Sequence, residues 1–458
     1  MATPDSTSSH THATSYFPPY RPRSKSEDRS SEATLVINPH SPAEFYHNTK
    51  DIKGAPARML QCFRVFLQAL TPSWFTTSMG TGIVSILLHN IPYNSNGLYW
   101  GSVVIFLFNT ALFVMLSFFS ILRYALYPGL WTTMIHHPTA PMYLAAIPMA
   151  LGTLIEMIVL VCVPLWGDWV AYLCWGLWWV DSAMAIILNF GLLFLIMTIH
   201  DSHPSQVTAI WLLPMASTIV ASAVGGVIAE VLPNPCHALW TLVVSYVLWG
   251  TALPLLMSFL VIYLYRLTMY QIPPKDVIAS SLIPVAPLGQ GAFAILKLGK
   301  VAATLMSKMN MLDGKDTQAG TILYVLGWFT GLVLWSYGLC WLIIAIASLV
   351  RRQVFFNLGC WAFTFPLGVW ANAAISFGNE LPLPFFKIVG TILAAIVTFL
   401  WVLVSAYTLR GMYTGQIFVA PDFDEWRKQT GSYYCKSNVS SVYPSRSKNQ
   451  SLWAERED

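Results

Sequence analysis

The stretch Trp361-Ala-Phe-Thr-Phe-Pro-Leu-Gly368 decides the fold. It is apolar and aromatic, it contains a proline, and it belongs to an apolar run over residues 354–379. Proline removes a backbone donor and kinks a helix. In hydrocarbon, the freed carbonyl groups must be buried in protein or face a wet cavity. The stretch therefore predicts a broken membrane helix that lies inside a bundle, away from lipid.

Similar apolar runs fill most of the chain. Only 10% of the residues are charged and 55% are hydrophobic, whereas a soluble domain carries about 25% charged residues. A helix needs about 20 apolar residues to cross a bilayer. Ten runs meet this length, at 72–91, 98–127, 139–165, 168–199, 206–231, 236–269, 277–306, 317–350, 354–379 and 384–412. We therefore predict an all-α integral membrane protein with ten transmembrane helices.

The odd-numbered runs differ from the even-numbered ones. The odd runs are rich in proline and glycine, and Pro148, Pro214, Pro287 and Pro366 recur at similar spacing, whereas Pro254 is the interior proline of the even runs. This alternation predicts five hairpins in a ring, with kinked odd helices inside and straighter even helices outside. The alternative is that the prolines only aid close packing, since proline is common in membrane helices.

Polar segments flank the apolar region. Residues 1–55 and 415–458 are rich in Ser, Pro and charge, which predicts two disordered tails and leaves 56–414 as the transmembrane domain. An even number of crossings places both tails on one side of the membrane. The Lys and Arg residues near the ends of the runs predict that this side is the cytoplasm.

Few charges are embedded in the runs. The charges that we single out are Glu156, Asp181, Lys297, Lys300 and, at the end of the ninth run, Glu380. A charge at mid-membrane costs about 2.5–3.5 kcal/mol on insertion scales, so each is a candidate functional residue. Lys297 and Lys300 share one helix face and either attract an anion at the mouth of a passage or snorkel to the interface. Asp181 and Glu380 are candidates for proton coupling or for a structural role.

Uncharged candidates lie on the odd runs. The large ring of Phe365 at a kink either closes a narrow pore or packs ordinarily, while Asn372 and Asn379 offer amide donors to an anion. Gln290 lies between two glycines, which allow a small ligand to approach the backbone. The remaining candidates for the pore are Gly80, Thr81, Pro148, Pro214 and Pro287.

Other kinds of activity have little support in the sequence. It contains no GxxxxGK[ST], GxSxG or HExxH motif, and its seven cysteines are scattered. No basic stripe alternates with aromatic residues, so no nucleic-acid partner is expected. The segment His200-Asp-Ser-His203 is interpreted as an interfacial turn rather than a metal site. We expect no catalytic residues, no cofactor and no bound metal.

Five segments together resemble a known family. They are Trp178-Trp-Val-Asp181, Ile272-Pro-Pro274, Pro287-Leu-Gly-Gln-Gly291, Thr364-Phe-Pro366 and Gly378-Asn-Glu380. This combination is similar to the fungal sulfite efflux pumps of the tellurite-resistance/dicarboxylate transporter family, which includes the plant slow anion channels. The resemblance covers residues 70–412 and leaves out the tails.

The resemblance implies a fold and a function. The implied fold has five hairpins with quasi-five-fold symmetry, odd helices lining a central pore, a phenylalanine gate at Phe365, and trimeric assembly. The implied function is export of sulfite or bisulfite across the plasma membrane, driven by the electrochemical gradient and conferring sulfite resistance. One alternative is a malate or C4-dicarboxylate permease, which would demand more fixed cations in the lumen. Another is an intramembrane enzyme, which would need a polar cluster at one membrane depth.

Overall fold

The computed structural model describes most of the apolar region of the 458-residue chain. The described residues are 63, 66–93, 95–200, 203–309, 316–352, 356–381, 384–415, 417–418 and 422–423. Within these residues the regular elements are helices, and no strand is formed. The predicted tails, 1–55 and 415–458, lie outside the described residues except for a few positions near 415–423.

Five helices, which we call the inner helices, begin in the same way. A short 3-10 segment comes first and an α-helical part follows. The 3-10 segment that precedes α1 is Pro72–Trp74. The inner helices are α1 (Phe75–Asn90), α3 (Ala140–Trp166), α5 (Ala209–Val231), α7 (Ile278–Met309) and α9 (Leu358–Glu380).

Four prolines of the inner helices lie where the α-helical parts begin. Pro214 and Pro366 are the second residues of theirs, and Pro148 and Pro287 are the third. The first turn of an α-helix has no intrahelical acceptor for its N–H groups, so proline costs no hydrogen bond there. The predicted break thus takes the form of a change of helix type near one end of each inner helix. Pro254 does lie inside an outer helix.

Helix α3 contains a second irregularity, which the sequence did not predict. Residues Ile158–Cys162 form a π-helical turn, and Pro164 follows in the final α-helical turn. Single π-turns inside α-helices are frequent at functional sites. Here the turn lies beside a polar cavity that Val159, Leu160 and Pro164 help to line.

The other five long helices, which we call the outer helices, have largely exposed side chains. In their most apolar segments 17–39% of the residues are buried, against 72–100% in α3, α5, α7 and α9. Apolar surface of this extent is suited to lipid. The outer helices are α2 (Asn96–Leu126), α4 (Asp168–Thr198), α6 (Pro235–Tyr270), α8 (Asp316–Arg351) and α10 (Pro384–Thr414).

Among the described residues, nine helices are long and apolar enough to cross a membrane, namely α2 to α10. They confirm a multi-pass helical membrane protein. Helix α1 has 16 residues and extends about 24 Å at 1.5 Å per residue, which is less than a hydrocarbon core of about 30 Å. The tenth crossing thus depends on the preceding 3-10 turn and stays a prediction.

The inner helices contact one another in a closed series. Helix α1 packs against α3, α3 against α5, α5 against α7, α7 against α9, and α9 against α1. Each outer helix covers a seam between two inner ones: α2 covers α1 and α3, and α4 covers α3 and α5. Likewise α6 lies on α5 and α7, α8 on α7 and α9, and α10 on α9 and α1. This arrangement brings residues from five distant parts of the chain to the centre of the bundle.

Candidate functional site

A cavity of about 360 Å³, the polar cavity, lies where the C-terminal halves of the five inner helices meet. Each inner helix contributes a polar side chain to its wall. These are Asn90 of α1, Glu156 of α3, Glu230 of α5, Lys297 of α7 and Glu380 of α9. The cavity therefore gathers the polar ends of helices that lie far apart in the sequence.

Both lysines of the polar cavity are paired with carboxylates from neighbouring inner helices. Lys297 pairs with Glu230 of α5, and Lys300 pairs with Glu380 of α9. The hydroxyl of Tyr324, on the outer helix α8, donates to the second Glu380 oxygen over 2.9 Å. Lys300 and Glu230 are 44% and 41% exposed, so these pairs are accessible from the cavity. Exposed pairs of this kind are weak.

The polar cavity is not a positively charged funnel. Three carboxylates and two lysines lie in its wall, because Glu156 joins Glu230 and Glu380. Glu156 is buried, and within the described part of the chain it makes no ion pair at salt-bridge distance. A mobile anion in this cavity therefore meets cations that are already neutralised.

A second space, the apolar pocket, lies between the N-terminal halves of the same helices. Its volume is about 40 Å³, and all five inner helices line it. They do so through Met79, Met149, Leu213, Ala286 and Phe365, among others. The Phe365 ring is buried, with 2% of its surface exposed. The polar cavity and the apolar pocket thus lie towards opposite ends of the inner helices, and the apolar pocket has the smaller volume.

Amide and hydroxyl groups of α9 follow one another towards the polar cavity. The Asn90 amide donates to Asn372 Oδ1 over 3.0 Å, and the Ser376 hydroxyl donates to the Asn372 carbonyl over 2.9 Å. Asn90, Ser376 and Asn379 line the cavity, whereas Asn372 is buried behind them. Because residues three and four apart share a helix face, α9 presents polar groups in the direction of the cavity.

Two candidates on α1 face helices rather than either cavity. The hydroxyl of Thr81 donates to the Thr77 carbonyl over 2.7 Å and accepts from the Trp401 indole of α10 over 3.1 Å. Gly80 packs against Trp361 and Thr364 of α9, where a side chain would collide. Both residues therefore fix the position of α1 against its neighbours.

The segment around Gln290 also serves helix packing. A Cβ atom on Gly289 would lie 2.6 Å from the Cα atom of Trp370, so only glycine permits this approach of α7 and α9. The Gly291 carbonyl accepts from the Trp249 indole over 3.1 Å. Gln290 is buried, and its Oε1 atom has no hydrogen-bond partner among the described residues. Gly289 therefore accommodates a neighbouring helix, and the predicted approach of a ligand to this segment stays a prediction.

The remaining candidates lie away from both spaces. Pro148, Pro214 and Pro287 are buried in the first turns of their helices and belong to neither lining. Asp181 is fully buried in α4, and its carboxylate oxygens find no hydrogen-bond partner among the described residues. A Cβ atom on Gly152 of α3 would lie 3.9 Å from Asp181 Oδ2. Asp181 thus faces the seam between α3 and α4.

No potential metal site is formed by the part of the chain that the structure describes, where His, Cys, Asp and Glu side chains do not gather in groups of three or more. His200 Nε2 lies 2.9 Å from the Ile135 carbonyl oxygen, and His203 Nδ1 lies 2.8 Å from the Ser205 hydroxyl. Both imidazoles therefore take part in the structure of a connecting loop.

Sequence reasoning missed four polar residues of the polar cavity and its surroundings, namely Asn90, Glu230, Tyr324 and Ser376. Glu230 is the second-to-last residue of α5 and Glu380 is the last residue of α9, and this similar position is a signal that could have identified Glu230. Asn90 is likewise the last residue of α1. Tyr324 gives no signal in the sequence, because one tyrosine on an aromatic outer helix resembles any other.

A bundle of apolar helices whose buried members converge on a chamber of charged and amide groups has the architecture of a membrane transport protein. Residues 69–409 match the SLAC1 family, described as voltage-dependent anion channels, and the chain belongs to this family.

Curated relatives agree with this assignment. The chain is 42% identical over 373 residues to the sulfite efflux pump SSU1 of Arthroderma benhamiae, covering 81% of this chain and 98% of that protein. It is 44% identical over 347 residues to the SSU1 pump of Arthroderma otae, covering 76% and 92%. The malic acid transport protein of Schizosaccharomyces pombe is more distant, at 23% identity over 360 residues, covering 77% and 80%.

Proposed function

We propose that the protein exports sulfite or bisulfite from the cytoplasm across the plasma membrane and so confers sulfite resistance. The observation that carries this proposal is the similarity to sulfite efflux pumps, which extends over most of both chains. The family assignment supports the transport of anions. The sulfite substrate follows from the relatives.

The proposed path is a central pore lined by the inner helices. Three observations support it: the closed series of contacts, the burial of the inner helices, and two spaces that all five inner helices line. In this arrangement five hairpins surround the pore with quasi-five-fold symmetry. Phe365 closes the pore at the apolar pocket, because an anion cannot enter an apolar constriction without losing its water.

The ends of the inner helices give the pore an electrostatic profile. The α-helical parts begin near the apolar pocket, at Phe75, Ala146, Leu213, Val285 and Phe365. The N-terminus of a helix carries partial positive charge, about half an elementary charge. An anion that passes Phe365 therefore meets the positive ends of five dipoles, which lowers the cost of its desolvation there.

The membrane potential supplies the driving force. Moving one negative charge out of a negative-inside cell gains about 2.3 kcal/mol per 100 mV. This gain needs no nucleotide, and the sequence contains no P-loop motif. We further propose cytoplasmic termini and a trimer of subunits, each with its own pore.

A dicarboxylate permease is the weaker candidate. A substrate with two carboxylates would pair with two cations in its path at once, and so would have to displace two carboxylates there. Among the described residues that line the polar cavity, both lysines are already paired with carboxylates. This pairing favours a small inorganic anion.

The test is a flux assay with purified protein in liposomes at a set potential. Labelled sulfite, malate and nitrate are compared, with protein-free liposomes as the control. We expect sulfite flux to exceed malate flux clearly. Malate flux without sulfite flux would refute the substrate assignment.

A further inference from the structure

We propose that Glu230 and Glu380 are built-in counter-anions of the transport path. Each occupies a lysine of the polar cavity, so a permeating anion reaches Lys297 or Lys300 only by displacing a carboxylate. The inference deepens the proposed function and rests on it. It assigns a competitive role to two carboxylates that would otherwise count only as structural partners.

The two lysines share one face of α7, and the two competing carboxylates reach them from different helices. Lys297 and Lys300 are three residues apart on α7, and each faces the polar cavity. Glu230 reaches Lys297 from α5 on one side, and Glu380 reaches Lys300 from α9 on the other. An anion that enters the cavity therefore meets both pairs, with a carboxylate on either side of α7.

The exposure of the pairs makes displacement feasible. The side chains of Lys297 and Glu230 are 21% and 41% exposed, and those of Lys300 and Glu380 are 44% and 19% exposed. Exposed ion pairs contribute little net stability, because water solvates the separated charges. A mobile anion can therefore replace such a carboxylate. The lysine then holds this anion only weakly. Weak binding suits a transport path, where an ion must also leave.

The two pairs differ in how firmly the carboxylate is held. Glu380 has a second donor, the Tyr324 hydroxyl at 2.9 Å. Glu230 has no hydrogen-bond donor besides Lys297 among the described residues. Glu380 is therefore the stronger competitor, and an anion takes Lys297 before Lys300. Tyr324 acts on the path as a positioning residue, through Glu380.

The first experiment measures equilibrium binding of labelled sulfite to the purified full chain. In Glu230→Gln and Glu380→Gln, the freed lysine should lower the half-saturating sulfite concentration by up to about fivefold, the factor that corresponds to an ion pair of about 1 kcal/mol. The larger decrease is expected for Glu380→Gln. Tyr324→Phe should shift binding in the same direction by a smaller amount. In liposomes the maximal sulfite flux should not rise, because a tighter site releases its ion more slowly.

A double-mutant cycle separates displacement from the general effect of removing a negative charge. If Glu230 acts by occupying Lys297, Glu230→Gln tightens binding in the natural chain but not in a Lys297→Gln background. If only the total charge of the cavity matters, it tightens binding equally in both. Asp168→Asn is the matched control, because this exposed carboxylate begins α4, directly after the end of α3. It should leave binding unchanged.

Two results would overturn the inference. One is a set of binding curves for Glu230→Gln and Glu380→Gln that superimpose on that of the natural chain. The other is equal tightening by Glu230→Gln with and without Lys297. The same titrations are run with labelled nitrate. If the natural chain transports nitrate but not sulfite, the proposed substrate is refuted, and the nitrate titrations still decide the role of the two carboxylates. If the natural chain binds neither anion, both the proposed substrate and the proposed role of the carboxylates are refuted.

Discussion

Phe365 lies at the start of the α-helical part of α9, and its ring faces the apolar pocket that all five inner helices line. This position is the one that a gate in the path requires. The ring is also buried, which the alternative of ordinary packing predicts as well. Phe377 lies on the same helix and is fully buried, but it packs against Phe386 of α10, with ring centroids 5.4 Å apart. The two phenylalanines therefore allow the proposed role of Phe365 in the path to be tested against the effect of removing a buried ring.

Replacing the Phe365 ring should open the path. In Phe365→Ala we expect sulfite flux in liposomes to rise about tenfold, which corresponds to a barrier lower by about 1.4 kcal/mol. Phe377→Ala, the matched control, should lower thermal stability without raising flux. Unchanged or lower flux in a folded Phe365→Ala protein would count against the gate.

Gly289 and Gly291 allow another matched comparison at the residue scale. A methyl group at Gly289 would lie 2.6 Å from backbone atoms of Trp370, whereas at Gly291 it would make an ordinary 3.6 Å contact with Leu334. Gly289→Ala should therefore lower the free energy of unfolding by about 1–3 kcal/mol, as overpacking does, and Gly291→Ala should be tolerated. Thermal unfolding in detergent compares the two. Equal midpoints would contradict the close approach of α7 and α9.

At the scale of elements, a short C-terminal segment is attached to the bundle. Gly415 turns the chain back with a φ of 76°, a conformation that glycine adopts readily. Phe418 then stacks on Trp74 at 5.9 Å, and Asp422 Oδ2 meets Arg123 Nη2 of α2 at 2.8 Å. Arg123 and Asp422 are 0% and 1% exposed. The segment therefore links the end of α10 to the start of α1 and the end of α2.

Removing one partner of this buried pair should be costly. Asp422→Ala leaves the Arg123 guanidinium without its counter-ion, and we expect the free energy of unfolding to fall by about 3–5 kcal/mol. The thermal midpoint measures the loss. Asp168→Asn, which changes an exposed carboxylate, is the control and should have little effect. An Asp422→Ala protein as stable as the control would show that the segment does not hold the bundle.

At the scale of the whole molecule, the sequence predicted more of the fold than of the site. Long apolar runs define nine membrane helices closely, because hydrocarbon demands continuous apolar helices. The alternation of Pro-rich and aromatic runs anticipated which helices are buried. The form of the break at each proline could not be predicted, because a sequence does not show where a 3-10 segment gives way to an α-helix. The pairing of Lys297 with Glu230 depends on tertiary contacts between α5 and α7, which no local pattern encodes.

The most direct test asks whether sulfite passes through the space between the inner helices. Ser376 lines the polar cavity, so a bulky thiol reagent attached to Ser376→Cys would obstruct that space. We predict that labelling stops sulfite efflux from liposomes that contain Ser376→Cys and spares the natural chain treated in the same way. Full sulfite efflux after complete labelling of Ser376→Cys would contradict a central path.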